Sequence, residues 1–241
     1  MTTFIRSLIF NIYFVVVSGT YVVVGSTLFC LMPRRFHSRT AHYWALAVVK
    51  GAQYILGLKY TVEGLENLPD GANYIIASKH QSAFETYLFN IVFKNPAFVL
   101  KRELAIVPFM GWQLFLTGAI AIDRSSGMVA MKKILNGAKK RLKDDQPVII
   151  FPEGTRVPYG KEGVYHPGIA LLYNHLPDTP VYPVAVNTGK FWKKAAFMKY
   201  AGTVKVKILP AMPKGLSKAE FMAELQNRIE TACREMNGDG A

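Results

Sequence analysis

Apolar and polar positions divide this chain into two regimes. From Ser7 to Met32 no charged residue interrupts a run dense in Val, Phe, Ile and Leu. As a helix the run reaches roughly 39 Å, more than the ~30 Å hydrocarbon core of a bilayer. It exceeds the roughly 7–15 apolar residues of a signal-peptide core, and no small-x-small cleavage site precedes Pro33-Arg34-Arg35, so a retained membrane anchor is expected. Arg34, Arg35, Arg39 and Lys50 outweigh Arg6, so a single span would leave the rest of the chain in the cytoplasm. Gly19, Gly25, Asn11, Ser18 and Thr20 leave open a re-entrant or surface-lying helix. Thr40 to Leu58 repeats the helical apolar period, but His42 and Lys50 argue against a second span. Tyr43, Trp44 and Tyr54 suit the water–hydrocarbon boundary, so an interfacial amphipathic helix is expected there, with a buried core helix as the alternative.

After Lys59 the pattern changes to short β-branched runs separated by helical stretches. Strands are predicted at Tyr60–Val62, Asn73–Ala77, Ala97–Lys101, Ala119–Ile122, Val148–Phe151, Val181–Val186 and Val204–Ile208, with Pro183 suggesting an edge or a bulge. Helices are predicted at Glu85–Phe93, Pro108–Leu116, Met128–Leu142, Gly168–Tyr173 and Ser217–Glu235. Alternating strands and helices give an α/β class: a mostly parallel mixed sheet flanked by helices, behind an N-terminal membrane-anchoring helical segment. The division is residues 1–58, anchor and interfacial helix, and 59–241, one α/β domain.

Composition narrows the class. With 51% hydrophobic and 19% charged residues in 241, the chain is neither disordered nor collagen-like. It carries 29 Lys+Arg against 16 Asp+Glu, a net charge of +13. An excess of both oil and cations points to a membrane surface before it points to nucleic acid, which is not expected as a partner. Cys30 and Cys233 cannot form a disulfide framework or a zinc site and read as reduced thiols. Met128–Lys143 carries a basic face, Lys132, Lys133, Lys139, Lys140, Arg141 and Lys143, that is either solvated or turned to anionic headgroups or an acidic acyl carrier. The C-terminal helix, with Phe221, Met222, Leu225, Ile229 and Ala232 at core spacing, is expected to serve packing alone.

The densest chemical signal follows the second strand, at Ser78-Lys79-His80-Gln81-Ser82-Ala83-Phe84-Glu85. A strand end that delivers an imidazole, with a carboxylate at the mouth of the next helix, supplies a base (His80) and its orienter (Glu85). Ser82 as a nucleophile has less support, because there is no G-x-S-x-G elbow. The second signal is Phe151-Pro152-Glu153-Gly154-Thr155-Arg156: a glycine for a tight turn, a hydroxyl at Thr155 and the rigid fork of Arg156, suited to a phosphate. Lys101 and Arg102 place further cations at a strand end.

In this order, His80-x-x-x-x-Glu85, Lys101–Trp112, Ala121–Arg124, Phe151–Arg156 and Val181–Val186 resemble the glycerolipid acyltransferases of the 1-acyl-glycerol-3-phosphate acyltransferase family, over roughly Tyr60 to Pro210. The family signature is H-x-x-x-x-D, and Glu85 departs from it by one methylene, a hint of a different lysolipid. The resemblance implies transfer of an acyl chain from acyl-CoA or acyl carrier protein to the sn-2 hydroxyl of 1-acyl-glycerol-3-phosphate, giving phosphatidic acid in phospholipid biosynthesis. It implies His80 as general base, Glu85 as its partner, and Glu153, Gly154, Thr155 and Arg156 as the glycerol-phosphate site. Lys101 and Arg102 become further acceptor-phosphate contacts, and Val181–Val186 part of the acyl-donor side. No metal and no cofactor are implied beyond the acyl donor as co-substrate. Membrane lipids and the acyl donor are the expected partners, the oligomeric state is open, and the expected location is a bacterial inner membrane with the catalytic domain facing the cytoplasm. The competing expectations are another acceptor such as a lyso-ornithine lipid, a membrane-anchored lipid hydrolase, and a non-catalytic membrane-surface binder.

Overall fold

The computed structural model describes residues 1–27, 34–106, 114–123 and 126–238. Helices α1 (Thr2–Thr27) and α2 (Arg34–Gly51) lead, through a π-helical turn at Ala52–Leu56, into strand β1 (Leu58–Glu63). There follow β2 (Ile75–Ser78), α3 (Phe84–Val92), β3 (Ala97–Lys101), α4 (Arg102–Ile106), β4 (Ile120–Ile122), α5 (Met128–Lys143), β5 (Val148–Ile150), α6 (Gly168–His175), β6 (Val181–Val186), β7 (Gly202–Ile208) and α7 (Lys218–Asn237). The seven strands form one sheet in the order β1-β7-β6-β2-β5-β3-β4. Neighbours are parallel except β6 and β7, so β1 and β7 run against the other five. The sheet is mixed and mostly parallel, as the sequence pattern predicts.

Alternation along the strands divides the core between two faces. Ile75, Ala77, Val148, Ile150, Val181 and Ala185 pack under α5, α6 and α7 through Ile134, Ala138, Ile169, Leu172, Phe221, Leu225 and Ile229. Ile76, Ile149, Tyr182, Val184 and Val186 face the other way, onto Phe84, Leu88 and Phe89 of α3, Val48 and Val49 of α2, and Phe10 of α1. Pro183 lies in an interior strand, not at an edge of the sheet. Its carbonyl accepts Leu209 N–H on the β7 side, just past the end of β7 at Ile208. The missing proline N–H thus falls at the end of β7, where backbone bonding continues only from Leu209 to the Pro183 carbonyl and from Met212 to the Val181 carbonyl.

The N-terminal helix is long and apolar enough to cross a membrane over Thr2–Val24, with 11% of its most apolar window buried. It is docked sideways on the body. Ser7 Oγ donates to the Lys199 carbonyl (3.2 Å) and accepts Lys199 N–H (3.0 Å), and Asn11 Nδ2 donates to the Phe197 carbonyl at 3.1 Å. Phe10 and Phe14 meet Trp192 edge-on at 5.3 and 6.1 Å. The opposite flank, Phe4, Ile5, Leu8, Ile9, Ile12, Val15 and Val16, is exposed. The second helix begins earlier than the apolar period predicts, taking in Arg39, and Gly57, at φ 74°, turns the chain into β1. Ala41, Ala45, Val48 and Val49 bury that helix, and His42 Nδ1 bonds the Asn90 carbonyl of α3 at 3.0 Å, so α2 is packed as a core helix on one side while Tyr43 and Tyr54 stay exposed. The part of the helix predicted at Pro108–Leu116 that precedes residue 114, together with Arg124 and Cys30, lies outside the described residues. In α5, Arg141 is buried beside Asp144 (3.6 Å), while Lys132, Lys133, Lys139, Lys140 and Lys143 form the exposed basic face.

Candidate active site

The carboxyl ends of β2, β5, β3, β4 and β6 open onto one edge of the sheet, where parallel α/β sheets place their ligands. His80 follows β2 there. Its Nδ1 lies 2.8 Å from Glu85 Oε1, and that oxygen also accepts the N–H groups of Gln81 (2.7 Å) and Ser82 (2.8 Å). A carboxylate only accepts, so Nδ1 carries the proton and Nε2 is the basic nitrogen. Glu85 is fully buried at the first turn of α3, and its Oε2 has no partner among the described residues. Ser82 Oγ accepts Phe84 N–H at 3.1 Å, so this buried hydroxyl is engaged by the backbone where α3 begins.

The loop after β5 closes over His80 from the other side. Glu153 Oε2 accepts the His80 N–H at 2.9 Å and Val157 N–H donates to the His80 carbonyl at 2.8 Å, which satisfies both backbone groups of the histidine. The imidazole stacks on the Phe151 ring, centroids 3.9 Å apart and planes 17° from parallel, and its side chain is 16% exposed. Gly154, at φ 64°, makes the tight turn that carries the chain from the buried Glu153 out to Thr155 and Arg156. Gly163 lies against the Glu153 side chain, where an added Cβ would come within 2.6 Å of its carboxylate.

Of the sequence-predicted residues, His80, Glu85, Glu153, Gly154 and Arg156 come together. Glu153 points inward, to Lys79 (2.7 Å) and the His80 N–H, and not toward open space. Thr155 is exposed, with Lys194 Nζ at 3.5 Å from its hydroxyl. Arg156 immediately precedes the Val157 bonded to His80, and its guanidinium has no hydrogen-bond or ion-pair partner among the described residues. Its charge acts on Tyr87, whose phenol burial pushes up to about 12 while Arg156 pulls it down. Lys101 and Arg102 stand apart. They are exposed at the end of β3, two strands from β2 along the same edge, roughly 10 Å at the usual strand spacing, and Arg102 is 3.5 Å from Asp123.

Sequence reasoning assigned no role to Lys79, Gln81, Phe151, Tyr165 or Glu230. Gln81 Oε1 accepts Gly189 N–H at 3.0 Å, tying the His80 segment to the end of β6. Lys79 is 1% exposed and lies 2.7 Å from both Glu153 and Glu230, with Tyr165 OH donating to Glu230 at 3.0 Å. A charged residue inside a buried strand end was the available signal for Lys79; Glu230, flanked by the core positions Ile229 and Ala232, was the signal for its partner. Among the described residues no three His, Cys, Asp or Glu side chains gather as a metal-binding group.

Residues 59–187 match the model of the family described as Acyltransferase. A 1-acyl-sn-glycerol-3-phosphate acyltransferase of Pseudomonas aeruginosa is 38% identical over 224 residues, covering 91% of this chain and 86% of that protein. This chain belongs to the acyltransferase family. Like it, though more distantly, a 1-acyl-sn-glycerol-3-phosphate acyltransferase of Saccharomyces cerevisiae is 28% identical over 233 residues, covering 90% of this chain and 73% of its own length. The crystal structure of PlsC, the 1-acyl-sn-glycerophosphate acyltransferase of Thermotoga maritima, superposes with a TM-score of 0.79 at 25% identity and 98% coverage of both chains. The matched stretch of the acyltransferase model contains the His80–Glu85 pair and the Phe151–Arg156 loop, and it ends just past β6.

Proposed function

We propose that this acyltransferase moves an acyl chain from the thioester of acyl-CoA or acyl carrier protein to the sn-2 hydroxyl of 1-acyl-glycerol-3-phosphate, in a single step within a ternary complex. The observation that carries the reading is the clamp on His80: Glu85 holds Nδ1 at 2.8 Å and Phe151 holds the ring plane, so the orientation of the imidazole is fixed and Nε2 is left as its basic nitrogen. An alcohol does not ionise at neutral pH, and Nε2 takes its proton as the oxygen bonds to the thioester carbon. The C–S bond then breaks, and the imidazolium returns the proton to the leaving thiolate. Glu85 stabilises the imidazolium between those two events. Thioesters are already electrophilic, so no covalent enzyme intermediate is needed.

Arg156, unpaired among the described residues and next in chain to the residue that bonds His80, supplies the charge for the acceptor phosphate. Lys101 and Arg102, farther along the edge, serve the same anion from its outer side, together with Thr155. Glu153 acts from beneath by fixing His80, while Gly154 shapes the loop. The named activities of the Pseudomonas and yeast relatives support lysophosphatidate as acceptor. The burial of Ser82, with its hydroxyl held by the backbone at the start of α3, weighs against a serine hydrolase. The docked α1, held at Ser7 and Asn11, favours an enzyme lying on a membrane surface with the exposed flank of α1 in the lipid; the location proposed is the cytoplasmic face of a bacterial inner membrane.

The acceptor assignment is tested with a panel of lysolipids and both donor types. Lysophosphatidate is expected to be the best acceptor, and Arg156→Ala to raise its KM about 10-fold or more with little change for an uncharged lysolipid. Equal use of a phosphate-free acceptor such as a lyso-ornithine lipid, or an unchanged KM in Arg156→Ala, removes it.

A further inference from the structure

Glu230 is a carboxylate set in the core-facing side of α7, 4% exposed beside Ile229 and Cys233, which pack on the sheet. It lies beyond the residues matched by the family model. Its Oε1 accepts Lys79 Nζ at 2.7 Å and Tyr165 OH at 3.0 Å. The Lys79 ammonium donates hydrogen bonds to Glu230 Oε1 and to the Lys161 carbonyl (3.0 Å), and it is ion-paired with Glu153 Oε1 at 2.7 Å. Glu153 spends its other oxygen on the His80 N–H at 2.9 Å. A continuous buried path therefore runs from the C-terminal helix to the backbone of the base.

Burial works against the Lys79 ammonium, but its hydrogen bonds and charge attraction to Glu153 and Glu230 outweigh that and hold it above the ordinary lysine value. With a carboxylate on each side, the ammonium is centred, and Glu153 is left with one oxygen turned to Lys79 and one to His80. Remove the Glu230 charge and the ammonium is drawn wholly to Glu153, where it competes with the His80 N–H for the same carboxylate. Small displacements of a base are costly because proton transfer requires heavy atoms at hydrogen-bond distance.

We propose that Glu230 is a positioning residue for acyl transfer, acting through Lys79 and Glu153 to fix the backbone of His80. The proposal rests on the reading of His80 as the base. The test compares Glu230→Gln, Glu230→Asp and wild type, as full-length enzyme in lipid vesicles, with acyl-CoA and lysophosphatidate. In Glu230→Gln, kcat is expected to fall roughly 10- to 100-fold while the KM of both substrates stays within about twofold, and Glu230→Asp, which restores the charge, is expected to recover part of the loss. A folded Glu230→Gln with wild-type kcat, a change confined to KM, or equal kcat in the Asp and Gln variants overturns it. Should Glu230→Gln fail to fold, Lys79→Met combined with Glu230→Leu removes the ion pair and leaves Glu153 a carboxyl able to take up a proton; a folded double variant with wild-type kcat overturns the proposal, and one with the same kcat loss supports it. His80→Ala, run alongside, separates the two layers: if it is active, the base assignment fails, and if it is inactive while Glu230→Gln is unaffected, only the positioning role fails.

Discussion

Glu85 Oε1 lies 2.8 Å from His80 Nδ1 and is shared with the N–H groups of Gln81 and Ser82. One oxygen thus orients the imidazole and closes the turn that leads into α3. The Glu85 side chain is fully buried. Glu85→Gln keeps an acceptor but removes the charge that balances the imidazolium, and kcat is expected to fall about 10³-fold with KM little changed. Glu85→Asp withdraws the oxygen from three donors at once and is expected to lower kcat roughly 10- to 100-fold. Steady-state kinetics on both variants checks this, and wild-type turnover in Glu85→Gln would remove Glu85 from the mechanism.

Phe151 stacks on His80 and lies within 6.4 Å, centroid to centroid, of the Phe89 and Phe98 rings. Phe151→Ala is expected to destabilise the protein by about 2–3 kcal/mol and to lower kcat with little effect on acceptor KM. Phe151→Leu refills the volume without the flat surface, so it should recover stability more than kcat. Parallel melting and kinetics separate the two; a Leu variant restored in both measures would mean that volume alone matters.

Lys79 lies between two buried carboxylates, and Lys79→Met leaves both without a counter-charge. A loss of about 3–5 kcal/mol at pH 8 is expected. The sign of the pH dependence follows from proton uptake. Burial raises the Glu153 carboxyl and Lys79 pulls it down, so without Lys79 that carboxyl takes a proton more readily folded than unfolded and the deficit of the variant shrinks as pH falls toward 5. In the wild type Lys79 is raised above 10.5, so its contribution is complete below about 10.5 and is lost as pH rises through the folded value. Denaturant titrations of the two proteins between pH 5 and 8 check the first part; a constant difference across that range would contradict the assignment.

The exposed flank of α1 carries no charge among Leu8, Ile9, Ile12, Val15 and Val16, while the opposite flank is bonded to the body. Ile12→Lys combined with Val16→Lys is expected to shift the enzyme from vesicle-bound to free in flotation, without loss of folding, because neither side chain supports the core. Asn11→Ala, which frees the Lys199 ammonium 2.6 Å from its Oδ1, should instead destabilise the docked helix. Unchanged flotation in the Lys pair would place the membrane contact elsewhere.

The seven strands were legible because short β-branched runs bounded by turn residues are too brief for stable helices and too apolar for loops, and each observed strand overlaps its predicted segment. The pairing of His80 with Glu85 was legible because one follows a strand end and the other stands at the mouth of the next helix. What could not be read was direction. Glu153 stands in the same hexapeptide as Arg156, yet Gly154 turns the chain between them, and Glu153 is buried while Arg156 is only partly so. Lys79 neighbours His80 in sequence, and its partner Glu230 is 151 positions away, a pairing that only the packing of α7 on the sheet creates. Pro183 read as an edge or bulge signal because proline lacks an N–H; it lies instead in an interior strand, opposite the end of β7, which strand patterns do not reveal.

The most direct test of base-catalysed transfer follows thiol release from acyl-CoA by wild type and His80→Ala in vesicles, with and without lysophosphatidate, while product lipid is measured. The expected result is thiol release that requires the acceptor, matched one to one by phosphatidic acid, and that is lost in His80→Ala while the variant remains folded and membrane-bound. Thiol release with free fatty acid in the absence of acceptor, or turnover retained in His80→Ala, would contradict base-catalysed transfer by this site.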